Sequence, residues 1–352
     1  MKENRLYLDI HAIQTLPPSN VNRDDTGSPK TAVYGGVRRA RVSSQSWKRA
    51  IRQYFLEESD EELGIRSLEV IKYVAERIIA SASVTEDEAM KMAEKIFNDA
   101  GIKTKDQKTK ALFFLGRKQA DQLADAAIKG QTDKQMLKQI FCDNPAVDIA
   151  LFGRMVADDP SMNEDASAQV AHAISTHEVQ TEFDFYTAMD DLAPEDNAGA
   201  GMLGTIEYNS STLYRYANIS MHELVKQLGN KEQAITAAKL FIKAFANSMP
   251  TGKSNTFANQ TLPQILMINI RQDRPVNLVT AYENPVKSHT GNASSSIERL
   301  FAEVAKAEKF VQSPVKTLYV AEEEFNKPEW ATEEGSISAL MNDFAIIAEE
   351  YL

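Results

Sequence analysis

The chain has 352 residues, 43% hydrophobic and 25% charged, with a formal net charge of −11 and one cysteine, Cys142. A single cysteine excludes an intramolecular disulfide and a cysteine-rich zinc site, and no run approaches the roughly 18 apolar residues of a membrane helix. The acidic balance argues against a protein that coats nucleic acid indiscriminately, while the start, MKENRLYLDI, is no signal peptide and implies a cytoplasmic location.

From the start of the chain, Leu6, Leu8, Ile10 and Ala12 alternate with Tyr7, Asp9, His11 and Ile13, which predicts a strand packed on one face. Thr15 to Gly36 is rich in Pro, Asn, Asp, Ser and Gly and reads as one long loop. Loops beyond about 15 residues in compact domains are commonly functional. Lys30 to Arg52 then carries seven positive charges and no acid, in a chain whose net charge is negative. Such segregation marks a surface for a polyanion. Ser43 or Ser44 can cap the helix that follows. In that helix Trp47, Ala50, Ile51, Tyr54 and Phe55 share one side, and Gln45, Lys48, Arg49 and Arg52 the other. The apolar side should lie on a sheet and leave the basic side free.

Residues 59 to about 176 change character. Amphipathic helices are expected near 66–81, 85–99, 108–128 and 132–141, with a capping box at Thr85 and Glu88. Glu178 to Tyr186 is extended, followed by the Gly-rich segment DDLAPEDNAGAGMLG. Thr205 to Ser220 reads as strand interrupted around Asn209 to Ser211. A helix (231–247), a strand (263–271) and a helix (294–311) complete the periodic part, and the end from Ala321 holds nine acids against Lys327 alone. The order suits a split ferredoxin-like β-α-β-β-α-β core with a helical insertion, an α+β fold.

The motifs NRDD, YGGVRRARVSSQS and KRA, with VDIALFGRM (147–155), AHAISTHEV (171–179), DFYTAMDDL (184–192), LGTIEY and LYRYANIS (203–220), resemble the CasC family. This family supplies the backbone subunit of the type I-E CRISPR surveillance complex called Cascade. The resemblance runs in register over the first two thirds of the chain and implies a right-hand layout. An RNA-recognition-motif-like palm would comprise 1–58 and 213–352, helical fingers 59–180, and a β-hairpin thumb 190–212. It further implies a non-catalytic subunit without cofactors or metal. Its partners would be crRNA, target DNA reached by guide pairing, head-to-tail copies of itself and other Cascade subunits, with no membrane.

Arg and Lys meet phosphates, while Asn22, Ser43 and Gln45 offer donors to phosphate or ribose 2′-OH. The resemblance points to Arg23, Lys30, Arg41, Gln45, Lys48 and Arg52 as holding the guide backbone, with Arg38 and Arg49 in the same basic stretch. It also implies that Arg154 takes a phosphate while Met155 wedges between bases. In PTGKSNT (250–256), Gly252 permits close approach, and Lys253 and Ser254 add charge and a donor. Met202 and Leu203 are candidate thumb contacts. Some relatives carry a lysine-dense helix before VDIAL, thought to meet target duplex; here it retains only Lys129, Lys134 and Lys138. Asp24 and Asp25 admit two readings. They hold a divalent ion for RNA cleavage, as in the related type III backbones, or they order their loop by turn hydrogen bonds. His172 and His177, five apart and without an HExxH motif, are expected to be structural. A monomeric RNA-recognition-motif protein is the remaining alternative, although no cluster of stacking aromatics supports it.

Overall fold

The computed structural model describes residues 5–59, 63–188, 203–322, 325 and 327–352. In chain order, β1 (Tyr7–Ser19), β2 (Thr31–Tyr34) and β3 (Val37–Val42) precede α1 (Ser44–Glu58). Next come β4 (Ile65–Ser67), α2 (Val70–Ser81), α3 (Glu86–Ala100), β5 (Thr104–Lys105), β6 (Lys108–Thr109) and β7 (Phe113–Leu115). Helices α4 (Arg117–Ile128), α5 (Lys134–Cys142) and α6 (Val147–Phe152) lead to β8 (Ala168–Val170), β9 (Ala173–Ser175), β10 (Glu182–Thr187) and β11 (Leu203–Ser220). The chain continues through α7 (Met221–Leu228), α8 (Lys231–Asn247), α9 (Ser254–Phe257), β12 (Ile265–Arg271) and α10 (Ala293–Ala307). It ends with β13 (Lys316–Ala321), β14 (Thr332–Glu333) and α11 (Ile337–Tyr351).

The main sheet runs β14-β13-β12-β1-β11-β9-β3-β2, antiparallel except for β13 with β14, and β11 also pairs with β8 and β10. Strand β1 is therefore central, and the expectation of a strand packed on one face is corrected. Leu8, Ile10 and Ala12 join Trp47, Ile51 and Phe55 of α1, Phe241 and Phe245 of α8, and Phe344 of α11 in one core. Ile13, on the opposite side, joins Tyr214, Met267, and Leu300 and Phe301 of α10 in another. Each fully buried Trp, Ile or Phe contributes about 1.5–3 kcal/mol through removal from water. The polar residues on this second side are satisfied rather than solvated. Asp9 accepts from Tyr216 Oη at 2.7 Å and Val276 N at 2.9 Å, and His11 Nδ1 lies 2.9 Å from Tyr214 Oη.

The long loop expected over Thr15–Gly36 is also corrected. β1 continues to Ser19, and β2 and β3 form a hairpin, so only 20–30 links them. Leu16 faces Ser211 and Ser19 faces Asn209, so Pro17 and Pro18 together oppose Ser210 in a bulge. Proline has no amide to donate, and a bulge is where a sheet tolerates that. The interruption expected within 209–211 thus lies in β1, and β11 passes it unbroken.

A separate core packs α2 to α5, with Val74, Ile78, Phe97, Leu123 and Phe141 buried together. The capping box of Thr85 and Glu88 forms as expected. Two helices start later than their periodicity suggests: 65–67 and 113–115 pair as a short antiparallel ribbon instead. Strands β10 and β11 extend beyond the sheet as a ribbon in which all six residues of β10 are exposed. The thumb range 190–212 lies partly outside the described residues, Met202 among them; the ribbon's first strand begins at Glu182.

Candidate nucleic-acid interface

Helix α1 sits between two clefts. Ser43 accepts from the Ser46 amide as N-cap, and Trp47, Ala50, Ile51 and Phe55 pin the helix to the sheet core. Its outward side is then forced to carry Gln45, Lys48, Arg49 and Arg52. On one flank a cleft of about 930 Å³ is lined by these four, by Arg66, Leu112 and Phe114 from the helical insertion, and by Met155. On the other, a cleft of about 1040 Å³ is lined by Arg23, Asp24, Asp25, Arg49, Tyr54 and residues 247–252. Arg49 borders both.

Gln45 and Arg49 are exposed. Lys48 is half-buried with Nζ 5.7 Å from the Phe152 ring centre, and burial pulls its pKa below the ordinary lysine value. Arg52 is engaged on three sides. Its Nε donates to Asp148 at 3.1 Å, its Nη2 donates to Gly64 O at 3.3 Å, and its guanidinium lies 4.5 Å from the Phe114 ring centre. Lys30 and Arg41 are joined through the backbone, Arg41 N donating to Lys30 O at 2.9 Å. Arg41 Nη1 meets His172 Nδ1 at 3.1 Å. Burial first, then the Arg41 and Lys30 charges, pull the His172 pKa down; that leaves a neutral ring able to accept. Arg38 is exposed on the β2–β3 hairpin and lines neither cleft.

Three of the sequence-based candidates have partners inside the protein. Ser43 is buried, and its hydroxyl oxygen accepts from Ser46 N as the helix cap. Asn22 Oδ1 accepts from Ser43 N at 2.8 Å, which makes Asn22 a brace between the loop and α1. Arg154 is 4% exposed and faces inward, donating to Phe141 O (2.6 Å), Met162 O (3.0 and 3.1 Å), Phe114 O and Gln119 Oε1. These bonds hold the insertion together. The neighbouring Met155 is 78% exposed at the cleft, so the wedge candidate stays where expected.

Gly252 makes a close approach, but to protein: a Cβ there would stand 2.2 Å from Val21 O. Lys253 follows in the left-handed conformation (φ 52°) and opens α9, with Ser254 as its first residue. Leu203 begins β11. Asp24 Oδ1 accepts from Thr26 N, Thr26 Oγ1 and Ser28 N, and these bonds, the Thr26 hydroxyl first, hold its pKa below the usual carboxylate value. His177 accepts from Thr212 N and meets Glu178 O, a structural role. Several cleft residues escaped the sequence reading. Arg66 and Leu112 lie on and beside the β4–β7 ribbon, and no local pattern announces that ribbon opposite α1. The exposed Phe183 and Phe185 of β10 are two residues apart, an alternation that was legible.

The arrangement offers a cationic floor from α1 and an apolar wall from Leu112 and Met155. That combination suits a strand whose phosphates lie on the floor and whose bases meet the wall. A family model described as CT1975-like protein matches residues 8–343. Among solved structures, a chain of a "CRISPR RNA-guided surveillance complex, pre-nicking" is 33% identical with a TM-score of 0.85, covering 97% of this chain and 100% of its own. A chain of a "CRISPR RNA-guided surveillance complex" is 29% identical with a TM-score of 0.76, covering 97% and 99%. No curated protein sequence matches significantly.

Proposed function

The chain belongs to the CasC family of CT1975-like proteins, and on that footing we propose that it is the non-catalytic, guide-RNA-binding backbone of a type I-E CRISPR complex. The observation that carries this reading is the cleft that Lys48, Arg49 and Gln45 share with Leu112 and Met155. Phosphates of the crRNA rest on the α1 side, and Met155 separates bases at the wall. Arg23, Lys30, Arg41, Lys253 and Ser254 continue the contact beyond α1, and Arg38 extends it on the β2–β3 hairpin. Copies stack head to tail along the guide, a heterologous interface that does not close, and present it in segments for pairing with target DNA alongside the other subunits. Sequence reading is left to base pairing.

The antiparallel placement of β1 between β11 and β12, with α1 and α8 as the crossing helices, supports an RNA-recognition-motif-like palm. The separate α2–α5 core supports the fingers, and the β10–β11 ribbon supports the thumb. Asp24 Oδ1 accepts three hydrogen bonds within its own loop, in line with the loop-ordering reading of that residue.

The test is RNA retention by the double variant K48E/R49E. Arg52 is left intact because reversing it would also strand Asp148. The expected outcome is loss of co-purified guide with an unchanged thermal unfolding profile; undiminished RNA content would refute this face. A nuclease footprint on a labelled guide, with and without magnesium, is expected to show protection broken at an even interval. Magnesium-dependent cutting that requires Asp24 or Asp25 would overturn the non-catalytic reading.

A further inference from the structure

One guanidinium closes a ring of three segments beside the cleft. Gly64 N donates to Asp148 Oδ1 at 2.8 Å, Arg52 Nε donates to Asp148 Oδ2 at 3.1 Å, and Arg52 Nη2 donates to Gly64 O at 3.3 Å. Gly64 stands just before β4, at the entry to the helical insertion; Asp148 lies in α6, after the α2–α5 core; Arg52 belongs to α1. The ring is tightly enclosed on the Gly64 side, where a Cβ would stand 2.7 Å from the Phe114 ring and 3.1 Å from Ile149 Cδ1. Asp148 is 1% exposed, whereas Arg52 keeps 22% of its side chain open and lines the cleft with Gln45, Lys48 and Arg49. The Arg52 Nη1 takes no part in the ring.

A buried carboxylate is costly to keep charged without a partner, and Arg52 supplies that partner here. Burial pushes the Asp148 pKa up, while the Gly64 amide and Arg52 pull it down. A strand in the cleft sets a phosphate against the same guanidinium. Carboxylate and phosphate both match an arginine fork, so the two compete for it. Once Arg52 turns to the strand, Asp148 is left with the neutral Gly64 and Asp148 amides. A carboxylate so placed takes up a proton rather than remain charged. As Arg52 Nη2 leaves Gly64 O, the new carboxyl O–H is a donor of the kind that Gly64 O loses.

We propose that Asp148 is a placeholder for a guide phosphate: it holds Arg52 until the strand enters the cleft, then releases it and takes one proton from solvent. The inference rests on the reading that the guide lies in this cleft. It adds a link between guide and insertion, because the Arg52 bond to Gly64 opens in the same step. Binding raises the proton affinity of Asp148, so guide affinity is highest at low pH. It falls, by up to about tenfold per pH unit, as pH rises through the window between the free and bound pKa. Glu164 and Asp165 line the same cleft and His172 meets Arg41, so the Asp148 share is the part that D148N removes.

The test is calorimetric titration of the full chain with a short single-stranded RNA in two buffers of different ionisation enthalpy, with anisotropy titrations from acid to mildly alkaline pH. Wild type is expected to take up protons on binding, and D148N to take up fewer. D148N mimics the protonated acid. It should bind RNA about fivefold tighter than wild type at alkaline pH, the low end of coupling between two sites, and equally at acid pH. In the R52Q background D148N should gain nothing, since Arg52 carries the coupling. A merely structural aspartate gives the opposite sign: D148N weakens binding at every pH, and that result overturns the proposal. Equal proton uptake by wild type and D148N overturns it too. Should D148N fail to fold, R52Q replaces it, and uptake that persists unchanged without the guanidinium refutes the proposal. RNA retained by K48E/R49E removes the reading beneath the inference; RNA lost there, with no proton uptake by wild type, removes the inference alone.

Discussion

Arg52 Nε lies 3.1 Å from Asp148 Oδ2, tying the basic helix α1 to the first turn of α6. Asp148 is almost fully buried and also accepts from Gly64 N at 2.8 Å; burial pushes its pKa up, against the pull of these partners. Arg52 therefore spends much of its charge inside the protein, although its side chain is 22% exposed. Arg52→Ala strands a buried carboxylate and is expected to cost about 2–3 kcal/mol, below the full value for an enclosed pair because water reaches the arginine. Denaturant unfolding checks this, and a loss under about 0.5 kcal/mol would show the pair to be inert.

Arg154 and Met155 are adjacent in sequence and opposite in consequence. Arg154→Ala leaves several buried carbonyls unpaired and is expected to destabilise by about 3–5 kcal/mol. Arg154→Lys should rescue little of it, since one ammonium cannot reproduce the fork. Met155→Ala should move stability by no more than about 0.5 kcal/mol while weakening guide retention. Paired thermal melts and RNA-binding titrations separate the two; full rescue by lysine would contradict the carbonyl-clamp account.

Gly252 is required by contact rather than by chain conformation. Alanine there meets the Val21 backbone, which cannot rotate aside, so Gly252→Ala is expected to cost about 1–3 kcal/mol. Hydrogen exchange should accelerate at Asn22 to Ser28, the loop that Val21 introduces. Exchange unchanged in that loop would argue that the approach is not tight.

Asp9 and His11 give opposite pH dependences. Burial raises the Asp9 pKa to about 7, so its contribution is full below the unfolded value near 3.8 and is lost as pH rises through 7. Burial lowers the His11 pKa to about 3, so its contribution is full above 6.5 and is lost as pH falls towards 3. Between about pH 4 and 6.5 the two slopes oppose each other, each up to about 1.4 kcal/mol per pH unit. Relative to wild type, Asp9→Asn should make the melting temperature rise more steeply with pH, and His11→Gln should make it fall. Parallel profiles for all three proteins would rule out both shifts.

Helix α1 was legible because capping and 3.6-residue periodicity are local, and the two serines preceding Trp47 bracket its start. The second covered side of β1 was not legible, since α10 lies nearly three hundred residues away. Pro17 and Pro18 disguised a strand as a loop, because the bulge that admits them is defined by the partner strand. Arg154 followed an apolar run and read as a surface charge; the carbonyls that enclose it come from four separate segments. Leu340, Phe344 and Ala348 recur at four-residue spacing in α11, a helix signal hidden beneath the acidic count of that region.

The unbroken course of β11 has a mechanical corollary. One end of this 18-residue strand lies between β1 and β9 in the core, and the other forms half of the exposed ribbon. A slip by one residue would invert every side chain along its length, turning Leu213, Ala217 and Ile219 out of the core. The buried end is thus the index mark of the ribbon: the orientation of Phe183 and Phe185 is calibrated from inside the molecule, by hydrophobic residues that whatever meets the ribbon never touches.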